Sequence, residues 1–141
     1  MKARRRHLIE YLLDTNICIY AINGRPIHVR EKLLSMMPDT LAVSSVCVAE
    51  LEYGAAKSRA PERNSKAVKV FCSNFATLPF DDADAEAFGH IRADLERRGC
   101  LIGPYDMQIA AQALVRHLVL VTNNVREFER IPGLRIENWV E

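Results

Sequence analysis

The run Leu8-Ile9-Glu10-Tyr11-Leu12-Leu13-Asp14-Thr15-Asn16 is mostly apolar and ends abruptly in a carboxylate, a hydroxyl and an amide. Such a run is typical of a strand buried on both faces, as strands of parallel sheets are. Side chains just past the carboxyl ends of these strands face the crevice where ligands bind, so Asp14 is predicted to lie at the mouth of a pocket. The alternative is that Asp14 only caps the helix that follows, at about residues 17–23.

Length and composition indicate one ordinary globular domain spanning residues 1–141. Of the 141 residues 49% are hydrophobic and 26% are charged, and the formal net charge is +1. This length is enough to bury a substantial core. We expect no membrane span, because no apolar run approaches about 18 residues. We expect a cytoplasmic protein, because the basic start at residues 2–7 lacks the apolar stretch of a signal peptide.

The cysteines are widely spaced and form no C-x-x-C pair; they are Cys18, Cys47, Cys72 and Cys100. The first three lie inside apolar helical patterns, where free cysteine usually behaves as a small hydrophobe. We therefore expect neither a disulfide framework nor a zinc site.

Strand patterns alternate with helical patterns along the whole chain. After the first strand, further strands are predicted at residues 41–45, 77–80, 118–121 and 134–136. Helices are predicted at residues 17–23, 26–37, 46–57, 61–75, 82–98, 106–116 and 126–130. Pro79 indicates an edge position for the third strand, and the apolar character of the helix at 46–57 predicts burial around most of its circumference.

This alternation predicts an α/β fold with a central parallel sheet of about five strands and right-handed crossovers. The first and fourth strands are the most apolar, and both end in small polar or acidic side chains, at Asp14 and at residues 122–124. If these strands are neighbours where the strand order reverses, their ends share one crevice.

Three carboxylates have apolar surroundings in the helical patterns, namely Asp14, Glu50 and Asp106. Carboxylates are costly to bury without a partner, so they pair either with distant cations or with a bound ion. A hard ion such as Mg²⁺ suits an oxygen-only cluster. Periodicity does not distinguish Glu50 from Glu52, although Gly54 would leave open space beside Glu50.

A basic cluster occurs around the junction of two predicted helices and consists of Lys57, Arg59, Arg63, Lys66 and Lys69. Such a run is either a solvated helix face or a track for a phosphate backbone. The basic arm at residues 2–6 is a second candidate contact for nucleic acid.

Four short motifs in order resemble those of the PIN-domain ribonucleases, and among them the VapC toxins of bacterial VapBC toxin–antitoxin systems. The motifs are residues 12–16, then Ser45 with Glu50-Leu51 and Gly54, residues 103–106 with 109–111, and residues 121–123. Each motif is weak by itself, whereas four in order are specific and cover nearly the whole chain.

The resemblance implies a PIN-like three-layer α/β/α sandwich with a Mg²⁺- or Mn²⁺-dependent endoribonuclease activity. It implies a toxin that cuts structured RNA, tRNA or rRNA, and so inhibits translation. It also implies a homodimer neutralised by a cognate VapB-type antitoxin. A cleft of three carboxylates would attract a basic side chain of that antitoxin, most readily a forked arginine.

The resemblance also assigns roles to individual residues. Asp14, Glu50 and Asp106 match the acidic triad, with the two aspartates as direct metal ligands and Glu50 either ligating the ion or orienting water. Ser45 and Thr122 match supporting polar positions, while Asn16 is expected to hold Asp14 in place. The basic residues Lys57, Arg59, Arg63 and Lys66 are candidates for RNA binding.

One position departs from the family pattern. Many members carry a fourth acidic residue where this chain has Asn124, which adds hydrogen bonding but no charge. Glu127, three residues further on, could substitute for it. The departure keeps open an alternative, a catalytically silent PIN-like protein-binding module. A phospho-acceptor signalling domain ranks third, because Asp14 is followed by Thr15 and not by a second acid.

Overall fold

The central sheet is parallel throughout and has the strand order β3-β2-β1-β4-β5. A computed structural model describes residues 8–141, so the basic arm at residues 2–6 lies outside the described residues. The strands are β1 (Tyr11–Leu13), β2 (Leu41–Ser44), β3 (Ala76–Leu78), β4 (Val119–Val121) and β5 (Arg135–Glu137). The prediction of about five parallel strands is confirmed, and β3 lies at an edge as its proline indicated.

Within the described residues, seven α-helices flank this sheet and complete the three-layer α/β/α sandwich. They are α1 (Thr15–Asn23), α2 (Ile27–Ser35), α3 (Ser45–Ala56), α4 (Pro61–Cys72), α5 (Asp82–Arg97), α6 (Pro104–Val115) and α7 (Val125–Phe128). A 3₁₀ turn, Pro38–Thr40, precedes β2. No helix of residues 8–141 combines the length and the apolarity that crossing a membrane requires.

Strand β1 occupies the centre of the sheet, between β2 and β4. Its Leu12 and Leu13 are fully buried, as expected of a strand covered on both faces. Leu13 pairs with Val43 of β2 and with Val121 of β4. From β1 the chain first builds one half of the sheet and then the other, so the order reverses between β1 and β4. The predicted shared crevice therefore exists at this point.

Helix α3 differs from the expectation that it is buried nearly all round. Its buried side chains, Cys47, Leu51 and Ala55, form a single stripe at four-residue spacing. Tyr53 on the same helix is 66% exposed. The prediction was wrong because apolar residues next to an open cleft give the same sequence pattern as residues of the core.

The C-terminal segment is held against the sheet by Trp139. Its indole is 6% exposed and meets the Tyr11 ring edge-on, with 5.3 Å between the ring centroids. This contact fastens the last residues to β1, the strand that Asp14 directly follows.

Candidate active site

Asp14 is both a helix cap and a cleft residue, so the two interpretations of it describe one arrangement. It directly follows β1, is 4% exposed, and accepts a hydrogen bond of 2.8 Å from the backbone N–H of Ile17 in α1. Burial raises the pKa of Asp14 to about 6, against the lowering effect of hydrogen bonds from Thr122 and Ile17. The negative charges of Asp106 and Glu50 raise it further.

Thr122 connects the end of β4 to Asp14. The side chain is fully buried, and its hydroxyl donates to the Asp14 carboxylate. The same hydroxyl oxygen accepts a hydrogen bond of 2.9 Å from the backbone N–H of Asn124. The relay from Asn124 through Thr122 fixes the carboxylate orientation at the point where the strand order reverses.

Glu50 belongs to α3 and lines the same cleft as Asp14. Its Oε1 accepts a 2.6 Å hydrogen bond from the Thr15 hydroxyl, which lies in the first turn of α1. Glu52 instead binds Lys69 and Ser65 of α4, at 3.1 and 2.8 Å. Of the two glutamates that periodicity did not distinguish, Glu50 is the one that lines the cleft.

Asp106 lies in the first turn of α6 and faces the other two acids. Burial raises its pKa to about 6, with further contributions from the charges of Glu50 and Glu127. Gly103 lies directly beside this side chain, and a Cβ there would make only an ordinary contact, 3.5 Å from Oδ2 of Asp106. Glu127 therefore adds a further negative charge near Asp106.

These acids share one open cleft with a volume of about 810 Å³. Its polar and charged lining consists of Asp14, Thr15, Asn16, Glu50, Lys57, Asp106 and Asn124, together with the tyrosines Tyr53 and Tyr105. A Cβ added to Gly54 in the cleft wall would meet nothing within 4 Å, which agrees with the open space predicted beside Glu50.

The chemistry of this lining fits a hard divalent cation. Asp14, Glu50 and Asp106 supply oxygen donors only, and the raised pKa values of the two aspartates show how poorly their charges are compensated. Within residues 8–141, no three His, Cys, Asp or Glu side chains are placed so that together they could hold a metal ion. Mg²⁺ does not need such a group, because it binds through one or two carboxylates plus water and substrate phosphate.

Comparison with known proteins agrees with this geometry. The family described as PIN domain matches residues 11–134. The chain belongs to the PIN-domain family. A tRNA(fMet)-specific endonuclease VapC of Salmonella typhimurium is 48% identical over 132 residues, covering 94% of this chain and 99% of the relative. Ribonuclease VapC2 of Haemophilus influenzae is 46% identical over 133 residues, 94% of this chain and 100% of the relative.

Solved VapBC structures are also similar to this chain. DNA-bound VapBC from Salmonella typhimurium superimposes with a TM-score of 0.88 at 49% identity, covering 93% of this chain and 98% of that one. VapBC2 from Rickettsia felis, bound to a promoter DNA fragment, has a TM-score of 0.85 at 39% identity, with coverages of 93% and 99%. This PIN-domain chain is therefore an endoribonuclease of the VapC type.

One supporting residue of the PIN-domain chain, Asn16, does not act as expected. We expected Asn16 to hold Asp14, but the hydrogen bonds to that carboxylate come from Ile17 and Thr122. Asn16 is exposed and lines the cleft because it lies on the outer side of the first turn of α1. The Ser45 hydroxyl accepts a hydrogen bond of 3.2 Å from the backbone N–H of Phe80, so it joins α3 to the segment after β3.

The predicted basic cluster is divided by the fold. Lys57 lines the acidic cleft, whereas Arg63 and Lys66 line a separate, mainly apolar groove of about 630 Å³. Arg59 is exposed and lines neither cavity. The four residues therefore do not form one track, because α4 turns its basic side chains away from the cleft while α3 ends beside it.

Sequence reasoning missed three contributors to the site. Thr15 was recognised as a polar residue at the strand end, but its hydrogen bond to Glu50 spans 35 positions of sequence. Tyr53 was placed only within a helix predicted to be apolar nearly all round, and Tyr105 had no predicted role. Their positions, three residues after Glu50 and directly before Asp106, were the signal that could have drawn attention to them.

The raised pKa values predict that, without divalent ions, the free energy of unfolding falls as the pH rises from about 4 to 7. The folded chain keeps protons on Asp14 and Asp106 up to a pH of about 6. The unfolded chain releases them near pH 4. The folded state therefore binds more protons in this window and loses stability as they leave. Asp14 alone contributes about 3 kcal/mol.

Urea unfolding in EDTA at a pH of about 5 and of about 8 tests this sign. The wild-type chain should lose more stability between the two pH values than Asp14→Asn, whose amide does not ionise. Equal losses in the two proteins would show that Asp14 has an ordinary pKa.

Proposed function

We propose that this VapC-type ribonuclease is a toxin that hydrolyses a phosphodiester bond of tRNA with the aid of Mg²⁺ or Mn²⁺. The observation that carries the proposal is the convergence of Asp14, Glu50 and Asp106 in one cleft, with the pKa of both aspartates raised to about 6. Such uncompensated carboxylates are costly in a folded protein unless they serve a bound cation or a reaction.

Asp14 and Asp106 would hold the ion directly, and Glu50 would complete the site or orient water. When bound, the ion supplies a lowered pKa for water and offsets the charge that develops on the phosphate. Thr15 keeps Glu50 aimed into the cleft through its 2.6 Å hydrogen bond. Thr122 and the Ile17 N–H restrict Asp14 in the same way, so little reorganisation is needed when substrate arrives.

Asn124 and Glu127 together take the place of the fourth acidic residue of many relatives. Asn124 lines the cleft and can donate or accept hydrogen bonds without adding charge. Glu127 lies close enough to raise the pKa of Asp106. In this proposal Glu127 supplies the missing negative charge, while Asn124 contacts substrate or water at the edge of the cleft.

For the substrate we propose tRNA over rRNA. The relatives from Salmonella typhimurium and Shigella flexneri are named tRNA(fMet)-specific endonucleases, at 48% and 46% identity. Cleavage of an initiator-type tRNA would inhibit translation. Lys57 at the cleft would contact the RNA backbone close to the reacting bond. Arg59, Arg63 and Lys66 would contact more distant phosphates, where contacts position the RNA without reading its sequence.

We further propose that the protein acts in the cytoplasm as a homodimer that a VapB-type antitoxin neutralises. Solved structures of similar chains are described as VapBC from Salmonella typhimurium, VapBC2 from Rickettsia felis and VapBC-1 from Haemophilus influenzae. The acidic cleft favours an antitoxin that inserts a basic side chain, most readily an arginine with its forked geometry. Such insertion would compete with both the metal ion and the RNA.

The test is cleavage of total cellular RNA by the purified chain with Mg²⁺, with Mn²⁺ and with EDTA. We expect discrete fragments with either ion, with ends that map to a tRNA, and no fragments with EDTA because the carboxylates alone do not activate water. Fragments that persist in EDTA would contradict the metal requirement. Ends that map to rRNA would contradict the choice of substrate.

A further inference from the structure

Two exposed tyrosine rings flank the acidic residues of the cleft. Tyr53 is 66% exposed and Tyr105 is 54% exposed, and both line the cavity that contains the three carboxylates. They come from different helices, because Tyr53 belongs to α3 and Tyr105 to the first turn of α6. Neither hydroxyl forms a hydrogen bond with another described residue.

Packing of the fold does not account for these two rings. Buried aromatic side chains stabilise a core through their large apolar area, but more than half of the surface of each tyrosine residue remains in water here. Single exposed apolar residues are common on protein surfaces. Two aromatic rings beside the same three carboxylates are a more specific arrangement, which points to a ligand with flat apolar faces.

The charge of the cleft favours the same kind of ligand. Three carboxylates repel the phosphates of an approaching RNA, so contacts that do not depend on charge are needed near the reacting bond. Base–aromatic stacking is such a contact and tolerates any base. Lys57 supplies a cation beside the ring, since its Nζ lies 4.8 Å from the Tyr53 ring centroid. A phosphate next to a stacked base could pair with this ammonium group.

We propose that Tyr53 and Tyr105 stack on unpaired RNA bases next to the bond that is cut, and so position the substrate over the carboxylates. This inference rests on the proposed ribonuclease function. It requires the bases beside the scissile bond to be unpaired, because the faces of a base inside a duplex are already covered by its neighbours. The two tyrosines are positioning residues that bind substrate and take no part in proton transfer.

Fluorescence anisotropy with a labelled single-stranded RNA of about 12 nucleotides tests the proposal. The full-length chain carries Asp14→Asn to prevent cleavage, and Tyr53→Ala and Tyr105→Ala are compared with the phenylalanine variants. Each alanine variant should weaken binding by about tenfold or more, whereas phenylalanine should stay within about twofold because it keeps the ring. Met37→Ala removes another exposed apolar side chain, 65% exposed and outside both the cleft and the groove that Arg63 and Lys66 line, and should leave binding unchanged.

Kinetics in the otherwise unmodified chain separate positioning from structural damage. Both alanine variants should raise KM more than they lower kcat, and their thermal unfolding should match that of the parent. Unchanged affinity of the alanine variants, equal losses with phenylalanine, or no RNA binding by the parent would each overturn the proposal. If cleavage does not depend on the tyrosines, the stacking proposal is contradicted and the ribonuclease function is not. Ring-dependent binding without any cleavage contradicts the ribonuclease function and leaves the stacking intact.

Discussion

Asp14→Asn should reduce RNA cleavage by at least about a hundredfold. The substitution removes one negative charge from the place where Asp14, Glu50 and Asp106 meet, so both the affinity for a divalent ion and its placement are weakened. The loss should appear mainly in kcat, because the Asp14 carboxylate acts on the reacting groups and makes little contact with the rest of the RNA. Single-turnover cleavage of a labelled tRNA measures it.

The fold should survive this change, and that makes the activity loss interpretable. Asparagine is as good an N-cap as aspartate, so the hydrogen bond from the Ile17 N–H is retained. At a pH of about 8 without divalent ions, the variant should unfold at a higher temperature than the wild type, since it no longer buries a charge.

Glu52→Gln is the matched control for Asp14→Asn. Glu52 lies on the same helix as Glu50, but it faces Ser65 and Lys69 and does not line the cleft. Removing its charge should leave cleavage within about twofold of the wild type. Equal losses in Glu52→Gln and Asp14→Asn, or full activity of Asp14→Asn, would contradict the assignment of the acidic site.

Arg116→Leu should lower the free energy of unfolding by about 3–5 kcal/mol. Asp84, at the start of α5, is fully buried and forms an ion pair with Arg116, the residue that follows α6. Burial alone would raise the pKa of Asp84, but the hydrogen bonds from Arg116 and the Asp81 backbone hold it below its ordinary value. Without Arg116 the buried carboxylate has no counter-ion among residues 8–141.

Two comparisons show whether the loss of stability comes from burying the Asp84 charge without its counter-ion. Arg98→Leu breaks the exposed pair with Asp94, 2.7 Å long, and should change thermal unfolding far less because solvent screens that pair. The double variant Asp84→Asn with Arg116→Leu should recover part of the lost stability, since no charge is then left buried. Similar losses for Arg116→Leu and Arg98→Leu in urea unfolding would contradict a special role for the buried pair.

The sheet and its reversal point follow from local patterns. The apolar runs that became β1 and β4 are bounded by polar residues, and parallel strands between helices can be connected in few ways. The predicted neighbours β1 and β4 are indeed paired, Leu12 opposite Leu120. Even the position of Asp14 at the mouth of the crevice could be predicted from the sequence, because the carboxyl ends of parallel strands share one edge of the sheet.

The surface positions of the basic side chains were harder to predict from the sequence. The basic cluster looked continuous because helical spacing says which residues share one helix face, not which way that face points. In the folded chain Lys57 lies at the cleft, Arg63 lines another groove and Lys69 pairs with Glu52. The helix that carries Tyr53 was predicted to be buried nearly all round, because an apolar helix face beside a cleft resembles one in a core.

The sequence by itself determined the α/β architecture, the buried first strand and three candidate acids, because these depend on periodicity and on the chemistry of single side chains. Only the tertiary structure decided between Glu50 and Glu52, replaced Asn16 by Thr122 as the residue that holds Asp14, and brought Thr15 to Glu50 across 35 positions. The physical reason is that hydrogen bonds and charge interactions depend on distances of a few ångströms between side chains on different elements. Those distances are set by how the helices pack on the sheet.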